Sequence, residues 1–223
     1  MAGRSGRPWF AAGAAVLLLG LAATRHGWST ATSEPPQPSG SRTGTPAPAP
    51  TRTAATGYDP AGYAAEVRLH ARQAGIHPQL LMAILYNESY KPHDPALERA
   101  WQRLKPDSAF GIANMHRAAF DDTKKGRPFA GRSWEELPDD PDLAVEAAAW
   151  YLHDLARQLP ARRTGPYTED QLLALGYNAG PAAMRAFARG ATPGSQAGSY
   201  LTQLKDNWPR AARALEPGPA KSG

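Results

Sequence analysis

From Tyr58 to Leu215 the chain reads as one helix-start signal after another, which constrains its fold more than any other feature. Asp59-Pro60 pairs an N-cap with a proline at the first helical position, opening a helix that runs to Gly75. Pro78 opens a second over LLMAILYNESY, and Asp94-Pro95 a third through Leu97, Trp101 and Leu104. After the loop SAFGIANM comes a short helix around His116–Asp122. Ser133 with Glu136, and Thr168 with Gln171, have capping-box spacing. Pro141 begins an alanine-rich helix, LAVEAAAWYLHDLARQL, whose small side chains permit close packing. LLALGYNAG follows Thr168, and further helices start at Pro181 and near Ser195. No run alternates apolar and polar with period two, so no substantial sheet is expected. The expectation is an all-α domain over residues 58–215, followed by a flexible tail over 216–223.

What precedes the domain has a different character. Arg4 and Arg7 stand before an apolar run from Trp9 to Ala23, the pattern of an export signal, so residues 1–26 read as a signal peptide or an uncleaved signal anchor. Residues 27–57 are Pro, Ser, Thr, Ala and Gly, with prolines at 35, 36, 38, 46, 48 and 50 and almost no bulky apolar residue after Trp28. Such a segment cannot bury a core and is expected to be a disordered linker. At roughly 3.1 Å per residue it spans at most about 90–100 Å. Everything downstream is expected outside the cytoplasmic membrane, with the membrane itself a partner if the N-terminal segment is retained.

Charge also divides here. Residues 1–57 carry five Arg against Glu34 alone, while the remainder holds twenty Lys and Arg against nineteen Asp and Glu. The domain is nearly neutral, so nucleic-acid binding is not indicated. There is no cysteine, which excludes disulfides and thiolate metal sites. Six histidines show no HExxH or other paired ligand spacing, and no GxSxG or phosphate-binding loop is present. Neither metal nor cofactor is expected.

Within LLMAILYNESY, Leu81, Ile84 and Leu85 stand at helical spacing, and Glu88 falls next on the same stripe. A carboxylate there sits at the inner edge of a helix, facing core or cleft. Apolar neighbours and the negative end of the helix dipole both favour its protonated form. A proton donor for sugar chemistry needs that environment.

Four segments then fall in order: Asn87-Glu88-Ser89; Ser108 to Met115, SAFGIANM; the helix carrying Tyr151-Leu152; and Gly176 to Pro181, GYNAGP. Together they resemble the soluble lytic transglycosylase domain, a lysozyme-like fold acting on peptidoglycan, over roughly Ile76 to Trp208. The ES pair, the YL and the YNAGP are intact, and GIAN stands where the family carries a GLMQ-type loop. The resemblance implies that Glu88 is the sole general acid and base. It implies that Ser89 contacts substrate or intermediate, and that Tyr177 orients the glutamate through its hydroxyl. Gly111, Asn114, Met115 and Asn178 match positions lining the sugar groove. Read one by one, Ser89 is as well explained as a helix cap, and Met115 as core filler.

Two departures stand out. Asn114 replaces the loop glutamine and is one methylene shorter. The stretch from Glu88 to Gly111 is also longer than the family pattern and holds the Asp94–Leu104 helix. There Asp94, Glu98 and Asp107 read as capping and solvated residues, and Trp101 as exposed or packed beside the cleft. The resulting expectation is an enzyme that cleaves the MurNAc–GlcNAc β-1,4 bond of glycan strands and leaves 1,6-anhydro-MurNAc ends. A goose-type lysozyme releasing reducing ends and a catalytically inactive cell-wall binding domain remain as alternatives. Oligomeric state is not specified by the sequence.

Overall fold

A computed structural model describes residues 58–91 and 93–216; the expected signal segment, the linker and all but the first residue of the expected tail lie outside them. Asp59 accepts a hydrogen bond from the Ala61 amide and opens a 3-10 turn, Pro60–Tyr63, which passes directly into α1, Ala64–Ala74. Gly75 closes α1 in the left-handed conformation, φ 67°, where glycine carries no steric penalty. Then come α2, Pro78–Glu88; α3, Pro95–Leu104; α4, Arg117–Thr123; α5, Pro141–Ala156; α6, Glu169–Ala188; and α7, Ser195–Ala214. Both capping boxes form, at Ser133–Glu136 and Thr168–Gln171. At Gly180 the backbone leaves helical geometry (φ 83°, ψ 167°), dividing α6 immediately before Pro181 as the two helix signals require.

The one sheet among the described residues is a two-stranded hairpin. β1, Ala109–Phe110, pairs antiparallel with β2, Met115–His116, in the register Phe110 to Met115. GIAN is the four-residue connection between them.

The core is organised on α2. Every residue from Leu80 to Glu88 is buried, so α2 is enclosed on all sides and presents no single apolar stripe. The stripe of Leu81, Ile84, Leu85 and Glu88 is thus one face of a helix that is buried on the others as well. α2 packs most extensively on α7 and also on α1; α5 lies against α1 and α6. The alanines of α5 (Ala144, Ala147, Ala148, Ala149) are all buried, which is the close packing their size allows.

The inserted helix α3 is turned the other way. Glu98 and Gln102 face inward, while Leu97, Trp101 and Leu104 are exposed. Its amphipathic pattern is inverted relative to an ordinary surface helix, because the inward face answers a polar demand described below.

Candidate active site

Glu88 is the last residue of α2, and only 7% of its surface is exposed. Its carboxylate is held by donors from two distant parts of the chain. Asn114, in the GIAN hairpin connection, donates from Nδ2 to Oε2 at 2.9 Å, and the Tyr200 hydroxyl of α7 donates to Oε1, also at 2.9 Å. Burial raises the carboxyl above its ordinary 4.5; the bonds from Asn114 and Tyr200 and the charges of Lys91 and His93 oppose that rise without cancelling it. A buried acid with an elevated proton affinity, hydrogen-bonded on both oxygens, is chemically suited to hold and release a proton.

The loop that delivers Asn114 is tightly specified. Asn114 adopts φ 51°, a left-handed conformation that asparagine tolerates better than most residues. Its amide nitrogen closes the turn on the Gly111 carbonyl at 2.8 Å. Gly111 has φ 72°, and a Cβ there would lie 2.9 Å from the Leu137 carbonyl oxygen, so the chain passes where only glycine fits. The Gly111 amide donates to Glu98 Oε2 at 2.8 Å, and Glu98 Oε1 lies 3.0 Å from His93 Nδ1. The other ring nitrogen of His93 lies 3.1 Å from the Glu88 backbone carbonyl. Glu98 is thus no solvated residue of the insertion. It ties the hairpin to the end of α2, and this is the polar demand that turns the hydrophilic side of α3 inward.

The remaining residues singled out in the sequence fall as follows. Tyr177 does not bond Glu88; its hydroxyl donates to the Ala113 carbonyl at 2.6 Å, supporting the hairpin connection from α6. Glu88 receives its tyrosine hydroxyl from Tyr200 instead, because α7 rather than α6 packs along α2. Ser89 is the C-cap of α2, and its hydroxyl donates to the Tyr86 carbonyl at 2.7 Å. Met115 is in the core, and its carbonyl accepts from Trp134 Nε1 at 2.8 Å. Asn178 is exposed at the surface of α6.

Three residues beyond these enter the site. Tyr90 is largely exposed, yet its hydroxyl oxygen accepts the second Asn114 Nδ2 hydrogen at 2.9 Å. Lys91 donates to Asn114 Oδ1 at 2.7 Å. Tyr200 sits among Ala197, Leu201 and Leu204 on the buried stripe of α7. A hydroxyl-tipped ring on such a stripe requires a polar partner inside, the one signal by which the sequence could have shown it. Asn87 and Asn207 fasten the same junction: Asn87 donates to the Tyr200 carbonyl at 3.1 Å and accepts from Asn207 at 2.9 Å. Among the described residues no group of three or more His, Asp or Glu is arranged to hold a metal ion.

The family model described as the Transglycosylase SLT domain matches residues 67–196, more than half of the chain. The chain belongs to the transglycosylase SLT domain family. This lysozyme-like family accounts for the all-α architecture and makes the chain a peptidoglycan-active domain of the lytic transglycosylase type. Peptidoglycan as substrate places the SLT domain on the cell-wall side of the membrane. No curated protein matches the sequence. No helix among the described residues is long and apolar enough to cross a membrane. Tyr200 and Asn207 lie beyond the matched stretch, so the SLT domain here depends on residues outside it.

Proposed function

We propose that this SLT domain cleaves the MurNAc–GlcNAc β-1,4 bond of peptidoglycan and closes the MurNAc product to its 1,6-anhydro form, with Glu88 as both acid and base. The observation that carries the reading is the buried carboxyl of Glu88, hydrogen-bonded on both oxygens and with no acid among its partners in the described residues. Glycosidases that use water or a covalent intermediate place a second carboxylate across the scissile bond. Two acids of the segment between α2 and the hairpin are occupied elsewhere, and the third is exposed. Asp94 caps α3 through the Leu97 amide, Glu98 is spent on Gly111 and His93, and Asp107 is exposed.

The chemistry runs on one carboxyl. Protonated Glu88 gives its proton to the glycosidic oxygen as the C1–O bond breaks. The carbonyl oxygen of the neighbouring N-acetyl group stabilises the positive charge at C1. The Glu88 carboxylate, held ready by Asn114 and Tyr200, then removes the proton from the C6 hydroxyl of the same sugar. O6 bonds to C1, no water is consumed, and Glu88 ends protonated for the next cycle. Tyr90, Asn114 and Asn178 are the side chains we assign to the sugar groove. Ser89 and Gly111 act through the shape of the backbone, and Met115 and Tyr177 through support of the hairpin.

Digestion of purified sacculi followed by mass spectrometry tests the proposal. Muropeptides one water lighter than hydrolysis products are expected, and Glu88→Gln abolishes their release. Reducing MurNAc ends that take up heavy oxygen from labelled water would identify a goose-type lysozyme reaction instead. A well-folded wild-type protein that binds sacculi and releases nothing would identify a cell-wall binding domain. We also propose that residues 1–26 export the domain, as a signal peptide or an anchor, and that residues 27–57 tether it. Cell fractionation with sequencing of the mature N-terminus decides between secretion and anchoring.

A further inference from the structure

Asn114 has an amide with two distinguishable ends, and its orientation decides what Glu88 can do. An amide of this kind can sit either way round in similar space, exchanging a donor for an acceptor. Here three neighbours meet it. Lys91 Nζ faces Oδ1 at 2.7 Å, while Glu88 Oε2 and the Tyr90 hydroxyl oxygen both face Nδ2 at 2.9 Å. Of these only Lys91 has a fixed role, because an ammonium donates and never accepts. A carboxyl can carry a proton or lack one, and a phenol can donate or accept.

The reversed amide would put Oδ1 against Glu88 Oε2. That arrangement is favourable only when the acid's proton lies on Oε2 and points into Asn114, away from the sugar. With the observed orientation both Asn114 and Tyr200 donate into the carboxyl, so the acid's own proton must occupy a lone pair that neither uses. We propose that Lys91 is a positioning residue for the SLT reaction: its ammonium fixes the Asn114 amide as a donor to Glu88 and so keeps the acid's proton available to substrate. This rests on the reading of Glu88 as the acid.

Lys91 is suited to the task. It lies half-buried just past the end of α2, with a second, longer contact from Nζ to the Ala109 carbonyl at 3.4 Å, so it bridges both sides of the hairpin. The shorter side chain at position 114, which departs from the family's glutamine, reaches Lys91, Glu88 and Tyr90 together. The groups facing Glu88 are Asn114 from the hairpin, Tyr200 from α7, and Lys91 and His93 from the segment after α2; Tyr58 and Tyr177 are near enough for its charge to be felt. Of these, Lys91 alone both carries charge toward Glu88 and holds the amide.

The test uses Lys91→Met, which keeps the unbranched stem but for its last atom and removes every donor, and Lys91→Arg, which keeps charge and donors. On sacculi, Lys91→Met should lower kcat at least tenfold with KM within twofold of wild type, and Lys91→Arg should restore most of it. The alkaline limb of the pH profile should move upward in Lys91→Met, because a cation has gone and the reversed amide can bind the acid's proton. In an Asn114→Ala background Lys91→Met should change kcat less than twofold, since there is no amide left to orient. A kcat within twofold of wild type for Lys91→Met, or an undiminished loss in the Asn114→Ala background, overturns the proposal.

An NMR titration of the Glu88 side-chain carboxyl carbon separates this inference from the reading it rests on. If wild type releases no muropeptides, the transglycosylase reading fails. Loss of the cation alone raises the Glu88 titration, so the positioning claim then stands only if Lys91→Met raises it further in the wild-type background than in an Asn114→Ala background. Equal shifts in the two backgrounds, or no shift, refute it.

Discussion

Replacing Glu98 with alanine is the sharpest test of how the inserted helix serves the site. Glu98 looks like a surface residue in the sequence, yet its side chain is only 11% exposed and that of its partner His93 only 2%. Glu98→Ala leaves the buried Gly111 amide without an acceptor, which costs about 1–3 kcal/mol. It also leaves the buried Nδ1 of His93 without its partner, a further cost of about 1–3 kcal/mol. The two losses share one side chain and the site can relax, so about 3 kcal/mol is the expected destabilisation. At ~2–4 °C per kcal/mol for a domain of this size, the melting temperature should fall by about 6–12 °C. Urea unfolding followed by circular dichroism measures the change as a lower midpoint at constant slope. A cycle with His93→Ala should give a coupling of about 1–3 kcal/mol. A loss below about 0.5 kcal/mol, the usual scale of surface substitutions, would refute the buried tie and restore the solvated reading.

Gly111→Ala should destabilise by about 2–4 kcal/mol, combining a left-handed penalty of about 1–2 kcal/mol with a Cβ placed 2.9 Å from a backbone oxygen; an unchanged urea midpoint would contradict the close approach. Glu88→Gln should be more stable than wild type at neutral pH. Because burial raises the pKa of Glu88 above 4.5, the stability its protonation confers is complete below about pH 4.5 and is lost as pH rises through the folded value. The advantage of the glutamine variant should therefore grow from pH 4.5 upward, and a pH-independent difference would contradict it. Tyr200→Phe should lower kcat about tenfold or more and move the alkaline limb upward, since it removes a donor to the carboxylate, whereas Tyr177→Phe should act mainly on stability; equal pH profiles for the two would reverse these roles.

The helix starts were legible because capping is local: an aspartate before a proline, or a threonine three residues before a glutamine, carries its reason within one turn. The burial of Glu88 was legible for the same reason, since its apolar neighbours lie in the same short stretch. Its partners were not. Tyr200 stands 112 residues away on a helix with no motif, and only the packing of α7 on α2 brings it in. Tyr177 was assigned the bond that Tyr200 makes, since the order of motifs along the chain does not say which helix runs beside α2. Glu98 was read outward because sequence patterning assumes that apolar residues turn inward, and α3 reverses that assumption to satisfy an amide in another segment.

The position of α7 has a consequence for the timing of activity. A chain emerging N-terminus first delivers α1, α2, the hairpin and α6 before the residues of α7 arrive. Until then α2 lacks its most extensive neighbour and Glu88 lacks the hydroxyl of Tyr200. A molecule clipped after residue 196 would retain every recognisable motif and lose the Tyr200 donor to Glu88. The four motifs therefore do not by themselves complete the surroundings of Glu88; the last helix does.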